Sequence, residues 1–150
     1  MENIKVRVKR INDAKMPEYA TDFDVRGNSG ADLFSTMAVK IYPMGRIVIP
    51  TDLFVEVPLG VDMQIRPKSG LALKHGIIVL NTPGTIDPSF RGNVGVILIN
   101  LGDKAYTVGK GDKIAQAVFS PCLHAEFIDI DEELSKTKRG EGGYGSTGLK

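Results

Sequence analysis

Residues 53–65 read Leu53-Phe54-Val55-Glu56-Val57-Pro58-Leu59-Gly60-Val61-Asp62-Met63-Gln64-Ile65, two short apolar runs broken by a proline and a glycine. In the second run Val61, Met63 and Ile65 alternate with Asp62 and Gln64, the period of a strand with one buried face. The same reading extends outward. Toward the N-terminus Ile4, Val6 and Val8 alternate with Lys5, Arg7 and Lys9; toward the C-terminus short runs recur at Ile77–Leu80, Val94–Leu101, Ile114–Phe119 and Phe127–Ile130. Turn-forming clusters at Thr82-Pro83-Gly84 and Leu101-Gly102-Asp103 punctuate them at strand-length intervals. Many short strands with Gly/Pro turns predict an all-β fold, a jelly-roll-like barrel or sandwich. One short helix is expected at Gly70–His75, with Ser69 in the N-cap position and Gly76 where a left-handed C-terminal cap would sit.

A chain of 150 residues fits one domain. No apolar run is long enough to span a bilayer, and the N-terminus enters a charged alternating segment directly, so an intracellular, cytoplasmic protein without a membrane partner is expected. The single cysteine, Cys122, reads as a small packed residue, and with only His75 and His124 beside it there is no zinc-ligand set. A formal charge of +1 provides no basic field for nucleic acid, so any bound anion must be met by local donors.

Five segments carry residues with chemical potential. Ser29-Gly30-Ala31-Asp32-Leu33 contains an acid. Arg66-Pro67-Lys68-Ser69-Gly70-Leu71-Ala72 puts a cation and a hydroxyl at the start of the expected helix, where free N–H groups favour an anion, although Ser69 can equally serve as a simple cap. Gly84-Thr85-Ile86-Asp87-Pro88-Ser89-Phe90-Arg91-Gly92 reads as a β-hairpin tip with one acid, and an Asp in a turn usually caps backbone. In Gly111-Asp112-Lys113-Ile114-Ala115-Gln116 the amide of Gln116 interrupts an apolar strand and needs partners.

The last segment follows a charged linker over residues 131–138 and is rich in glycine. Gly140-Glu141-Gly142-Gly143-Tyr144-Gly145 satisfies the dinucleotide pattern G-x-G-x-x-G, but the strand and helix that pattern requires are missing at the end of an all-β chain. What remains is a flexible run of N–H groups with Arg139, Ser146 and Thr147 as donors and Tyr144 as an aromatic face. Such a tail suits a phosphate chain plus a base, and reads equally as a disordered end.

Taken in order, Gly-Ala-Asp-Leu, Pro-Lys-Ser-Gly-Leu-Ala, Gly-Thr-Ile-Asp…Arg-Gly, Gly-Asp-Lys-Ile-Ala-Gln and Arg-Gly-Glu-Gly-Gly-Tyr-Gly-Ser-Thr-Gly resemble the five motifs of the trimeric dUTP diphosphatase family, from Ser29 to Gly148. The resemblance implies a jelly-roll subunit and a homotrimer with three shared sites, each taking its first, second and fourth motifs from one subunit, its third from another and its fifth from the last. It implies hydrolysis of dUTP to dUMP and pyrophosphate with Mg²⁺ as cofactor, supplying dUMP and keeping uracil out of DNA. Carried onto matching positions, it makes Asp87 the general base and Asp32 the acid that holds Mg²⁺ through its water shell. Lys68, Ser69, Gly70 and Gln116 become phosphate contacts. Asn81, with Gly84, Thr85 and Ile86 of the expected hairpin, would recognise uracil in a pocket too narrow for a 5-methyl group, and Phe90 would pack beneath the deoxyribose. Residues 131–150 become a linker and mobile tail in which Arg139, Tyr144, Gly145, Ser146 and Thr147 complete a neighbour's site. Three positions depart from the family pattern: Lys68 stands where Arg is usual, which loses the bidentate fork; Phe90 replaces a Tyr, and Tyr144 a Phe. Two rivals remain: a dCTP deaminase of the same superfamily, disfavoured by the complete fifth motif, and a trimeric module that binds nucleotide only as a signal.

Overall fold

The computed structural model describes residues 3–20 and 27–146. Eleven strands and one helix follow in the order β1 (Arg7–Arg10), β2 (Glu18–Tyr19), β3 (Gly30–Phe34), β4 (Val39–Ile41), β5 (Arg46–Glu56), β6 (Val61–Arg66), α1 (Ser69–His75), β7 (Ile77–Val79), β8 (Gly84–Ile86), β9 (Asn93–Asn100), β10 (Tyr106–Val108) and β11 (Lys113–Pro121). They form a four-stranded sheet, β1-β5-β9-β7, a five-stranded sheet, β2-β3-β11-β6-β8, and a two-stranded pair, β10-β4, all antiparallel. The Pro58-Leu59-Gly60 turn does not make a hairpin, because it carries the chain from β5 in one sheet to β6 in the other. From there β7, β8 and β9 alternate between the two sheets, giving the jelly-roll connectivity.

Alternation explains the core. Ile49 and Leu53 of β5 with Val94, Val96 and Leu98 of β9 meet Leu33, Met63, Ile65, Ala115 and Ala117 of the five-stranded sheet in one buried cluster. Each large aliphatic side chain removed from water there contributes about 1.5–3 kcal/mol. Strand β5 tolerates Pro50 because its register with β9 shifts between Pro50 and Phe54. Thr51 Oγ1 donates to the Val94 carbonyl (2.7 Å) and Asp52 N–H to Asn93 Oδ1 (3.1 Å), replacing ladder bonds that the bulge removes.

Three expectations need correction. Phe127–Ile130 is not a strand, and Phe127 and Ile128 lie 95% and 75% exposed; the segment pairs with none of the sheet edges of its own chain. Ser69 is the first helical residue rather than the cap. Lys68 holds the N-cap position with extended backbone and no side-chain capping bond, while Gly76 is left-handed as expected and its N–H reaches the Leu71 and Ala72 carbonyls. Residues 87–92 are not a hairpin tip, since β8 pairs with β6 and β9 with β5 and β7. The segment is instead a crossing between sheets, turned by the Phe90 N–H bond to the Asp87 carbonyl (3.0 Å).

Candidate active site

Strand register brings the first, second and fourth segments together. Asp32 of β3 lies opposite Gln116 of β11, which lies opposite Arg66 of β6, so all three share the outer face of the five-stranded sheet. Asp32 is 4% exposed, and a buried carboxylate must be paired. Lys68, placed just before α1, forms a short ion pair with Oδ1, Lys113 approaches Oδ2 at 2.8 Å, and Gln116 Nε2 reaches Oδ1 at 3.4 Å. Burial pushes the Asp32 carboxyl up, but hydrogen bonds from Lys113 and Lys68, and then their charges, outweigh it and hold the group below its ordinary value.

Gly30 is part of this construction. A Cβ there would stand 3.0–3.1 Å from the Gln116 amide, so the missing side chain makes room for the glutamine to lie across β3. Ser69 and Gly70 are exposed at the start of α1, beside Lys68. A cation, a hydroxyl, an amide donor and free helix N–H groups on one face can hold phosphate oxygens.

The third segment forms a second group. Gly84 is buried, and a Cβ on it would meet Asn81 Nδ2 at 3.1 Å and Ile65 Cβ at 3.3 Å, so the Asn81 amide lies directly over the start of β8. Thr85 and Asp87 are exposed, and Ile86 is half-buried. The Phe90 ring sits on Gly92, where a Cβ would be 2.6 Å from the ring. Arg91 Nη1 donates to the Pro88 carbonyl (2.6 Å) and the Phe90 carbonyl (2.8 Å), fixing the loop that presents Asp87.

These two groups do not meet within one chain. From β3 to β8 there are three strand spacings, roughly 14 Å at about 4.8 Å each. Asp87 follows Ile86, the partner of Met63, and so stands level with Asp62, four residues along β6 from Arg66, which adds about 13 Å. Asp87 and Asp32 are therefore about 20 Å apart.

The tail stands apart from both. Beyond Cys122, whose N–H binds the Gly60 carbonyl, the hydrogen bonds of the described residues stay within the tail: Arg139 Nε to the Gly142 carbonyl (2.7 Å) and Ser146 N–H to the Gly143 carbonyl (3.0 Å). The Tyr144 ring is fully exposed, and both Tyr144 and Gly145 have positive φ. Thr147 lies outside the described residues. Sequence reasoning missed Lys113 as a member of the Asp32 cluster and Gly30 as the space for Gln116.

The model of the dUTPase family matches residues 13–148. A deoxyuridine 5'-triphosphate nucleotidohydrolase of Treponema pallidum is 48% identical over 97% of this chain and 99% of its own, and one of Alkaliphilus metalliredigens is 51% identical over 97% and 98%. Among solved structures, a point mutant of the Staphylococcus bacteriophage 80alpha dUTPase with dUpNHpp superposes with a TM-score of 0.85 at 26% identity, covering 98% of this chain and all of that one. A mutant dUTPase from phage phi11 of S. aureus, in which a structural Mg(II) ion is coordinated, shares the fold with a TM-score of 0.77 at 24% identity, covering 88% and 100%. With its jelly roll, its five segments in order and relatives that match it end to end, this chain belongs to the dUTPase family and is a hydrolase that converts dUTP to dUMP and pyrophosphate.

Proposed function

We propose that hydrolysis takes place at composite sites of a homotrimer, by in-line attack of a water on the α-phosphorus, with Asp87 of one subunit as general base and the Asp32 face of another as phosphate holder. The observation that carries this reading is the separation of about 20 Å between the two groups in one chain. A general base must lie within hydrogen-bond reach of its water. One chain's Asp87 cannot serve phosphates held at its own Ser69, Lys68 and Gln116. The exposed apolar residues that follow β11, Leu123, Phe127 and Ile128, also support association, as do the acids Glu126, Asp129 and Asp131 beside them against the basic edge strand carrying Arg7 and Lys9.

At such a site Ser69, Gly70, Lys68 and Gln116 bind and orient the phosphates. Asn81 and the backbone of Gly84, Thr85 and Ile86 read the uracil edge, and Phe90 packs under the deoxyribose. The tail of residues 131–150 comes from a further subunit: Arg139, Gly145, Ser146 and Thr147 close on the phosphates, Tyr144 stacks on the base, and closure excludes bulk water. Asp87 takes the water's proton as the new P–O bond forms and pyrophosphate departs.

Among the described residues no three His, Cys, Asp or Glu converge into a metal cage, and both Asp32 oxygens are engaged by lysines. The donor set fits a hydrated Mg²⁺ that arrives on the triphosphate, with Asp32 facing its water shell. Held there by Asp32 through water, Mg²⁺ would offset the negative charge of the phosphates. No helix of the described residues is long and apolar enough to cross a membrane.

The test is complementation. Asp87→Asn and Gln116→Leu each abolish pyrophosphate release from dUTP, and co-expression of the two restores activity at roughly a quarter of the sites if subunits mix at random. Activity that stays absent in verified mixed trimers would refute the composite site. Release from dUTP with Mg²⁺, against dTTP, dCTP and UTP, fixes the substrate; ammonia released from dCTP would point to a deaminase instead.

A further inference from the structure

We propose that Arg66 is an additional phosphate-binding residue of this reaction, its guanidinium set beside Gln116 and held ready by Gln64. The inference rests on the function proposed above and assigns a side chain that has no role there.

Two separate placements put Arg66 on the phosphate face. Across the sheet it lies opposite Gln116, whose other cross-strand partner is Asp32, and directly opposed side chains of an antiparallel pair stand about 4.5–5.5 Å apart at Cβ. Along the chain it precedes Pro67, which favours extended backbone at the residue before it, and Lys68 is extended as well (φ −87°, ψ 124°). Residues i and i+2 of an extended chain share a side, so Arg66 and Lys68 project together. Lys68 then reaches across β11 to Asp32 on β3. A phosphate group held at Gln116 has the Lys68 ammonium on one side and the Arg66 guanidinium on the other.

The guanidinium is oriented in advance. Arg66 Nε and Nη2 both donate to Gln64 Oε1, at 3.1 and 2.6 Å, and Gln64 Nε2 donates to Asp62 Oδ2 at 2.9 Å. A carboxylate can only accept, so Asp62 turns the Gln64 amide with its oxygen toward Arg66. Gln64 thereby occupies the Nε–Nη2 side of the fork and leaves its Nη1–Nη2 end open. Among the described residues Nη1 has no protein partner and no carboxylate forms an ion pair with Arg66. The charge of Lys68, by contrast, is taken up by Asp32. The open end of a guanidinium fork can meet two phosphate oxygens at once, which an ammonium cannot. An anchored side chain also loses little freedom when it binds.

The experiment compares the full chain, wild type, with Arg66→Met, Arg66→Lys and Gln116→Leu. Calorimetry gives the Kd of dUpNHpp with Mg²⁺. For wild type and the Arg66 variants, inhibition of pyrophosphate release from dUTP gives the Ki of deoxyuridine, which has no phosphate. Arg66→Met should weaken dUpNHpp about tenfold, the worth of a hydrogen bond to a charged group, while its Ki for deoxyuridine stays within about twofold of wild type. Arg66→Lys, which keeps the charge without the fork, should recover part of the loss. If the methionine variant does not fold, Arg66→Gln is read the same way. Unchanged dUpNHpp affinity would overturn the proposal, and so would an equal loss for both ligands, the mark of a structural role. Gln116→Leu separates this inference from the reading beneath it. Affinity that Gln116→Leu weakens and Arg66→Met does not would overturn the role of Arg66 alone, and affinity that neither weakens would overturn the phosphate face as well.

Discussion

Replacing Asp32 by Asn tests the charge balance around which the phosphate face is organised. The carboxylate is 4% exposed and holds Lys68 on one oxygen and Lys113 on the other. An amide of nearly the same shape keeps the place beside Gln116 but leaves two ammonium groups beside a neutral side chain. Removing one partner of a buried pair costs about 3–5 kcal/mol, and because both lysines are partly in water we expect about 2–3 kcal/mol here. In a chain of this length that lowers Tm by roughly 5–10 °C. The pH dependence is the sharper signature. The folded carboxyl is held below its ordinary value because the lysine hydrogen bonds and charges outweigh burial. A group with a depressed folded pKa contributes stability above its unfolded value, about 3.9, and loses it as pH falls through the folded one. Urea titrations should therefore show a constant gap between wild type and Asp32→Asn from about pH 5 to 8, narrowing as pH falls below about 4. A gap at pH 3 equal to that at pH 7, or one below about 0.5 kcal/mol throughout, would refute the charge-balance argument.

Asp87→Asn should lower kcat by roughly 10² to 10⁴ while sedimentation still reports the oligomer, since Asp87 is exposed and carries no core packing. Gly84→Ala should raise KM for dUTP far more than it changes kcat, because the new methyl meets the Asn81 amide at 3.1 Å and Ile65 at 3.3 Å; steady-state kinetics with equal effects on both parameters would contradict a role in reading the base. Deleting residues 139–150 should remove most activity and leave the melting curve almost unmoved, because the hydrogen bonds of the described part of that segment stay within residues 137–146 of the tail. In the intact tail, Tyr144→Phe should be nearly neutral in kcat/KM, whereas Tyr144→Ala loses the roughly 1–3 kcal/mol of an aromatic face on a base.

Local pattern determined the strands and the chemical vocabulary. Alternation at Val61–Ile65 marked which side chains face the core, because a strand's period is a property of the backbone alone. Gly76 was legible as a helix stop because only a glycine takes positive φ there without penalty. Five ordered segments were enough to identify the family.

What the sequence could not decide is pairing. Nothing in residues 84–92 says that β8 joins β6 while β9 joins β5, which turned an expected hairpin into a crossing between sheets. Phe127–Ile130 has a strand's apolar content, but a strand needs a paired edge, and this segment joins none of those in its own chain. Lys113 was hidden for the same reason. Its face depends on a one-residue bulge, which the hydrogen-bond register of three neighbouring strands creates and which leaves no mark in the order of residues. The distance between Asp32 and Asp87 is likewise a sum of strand spacings. Sequence supplied both acids, and only the folded sheet separates them by more than a general base can reach.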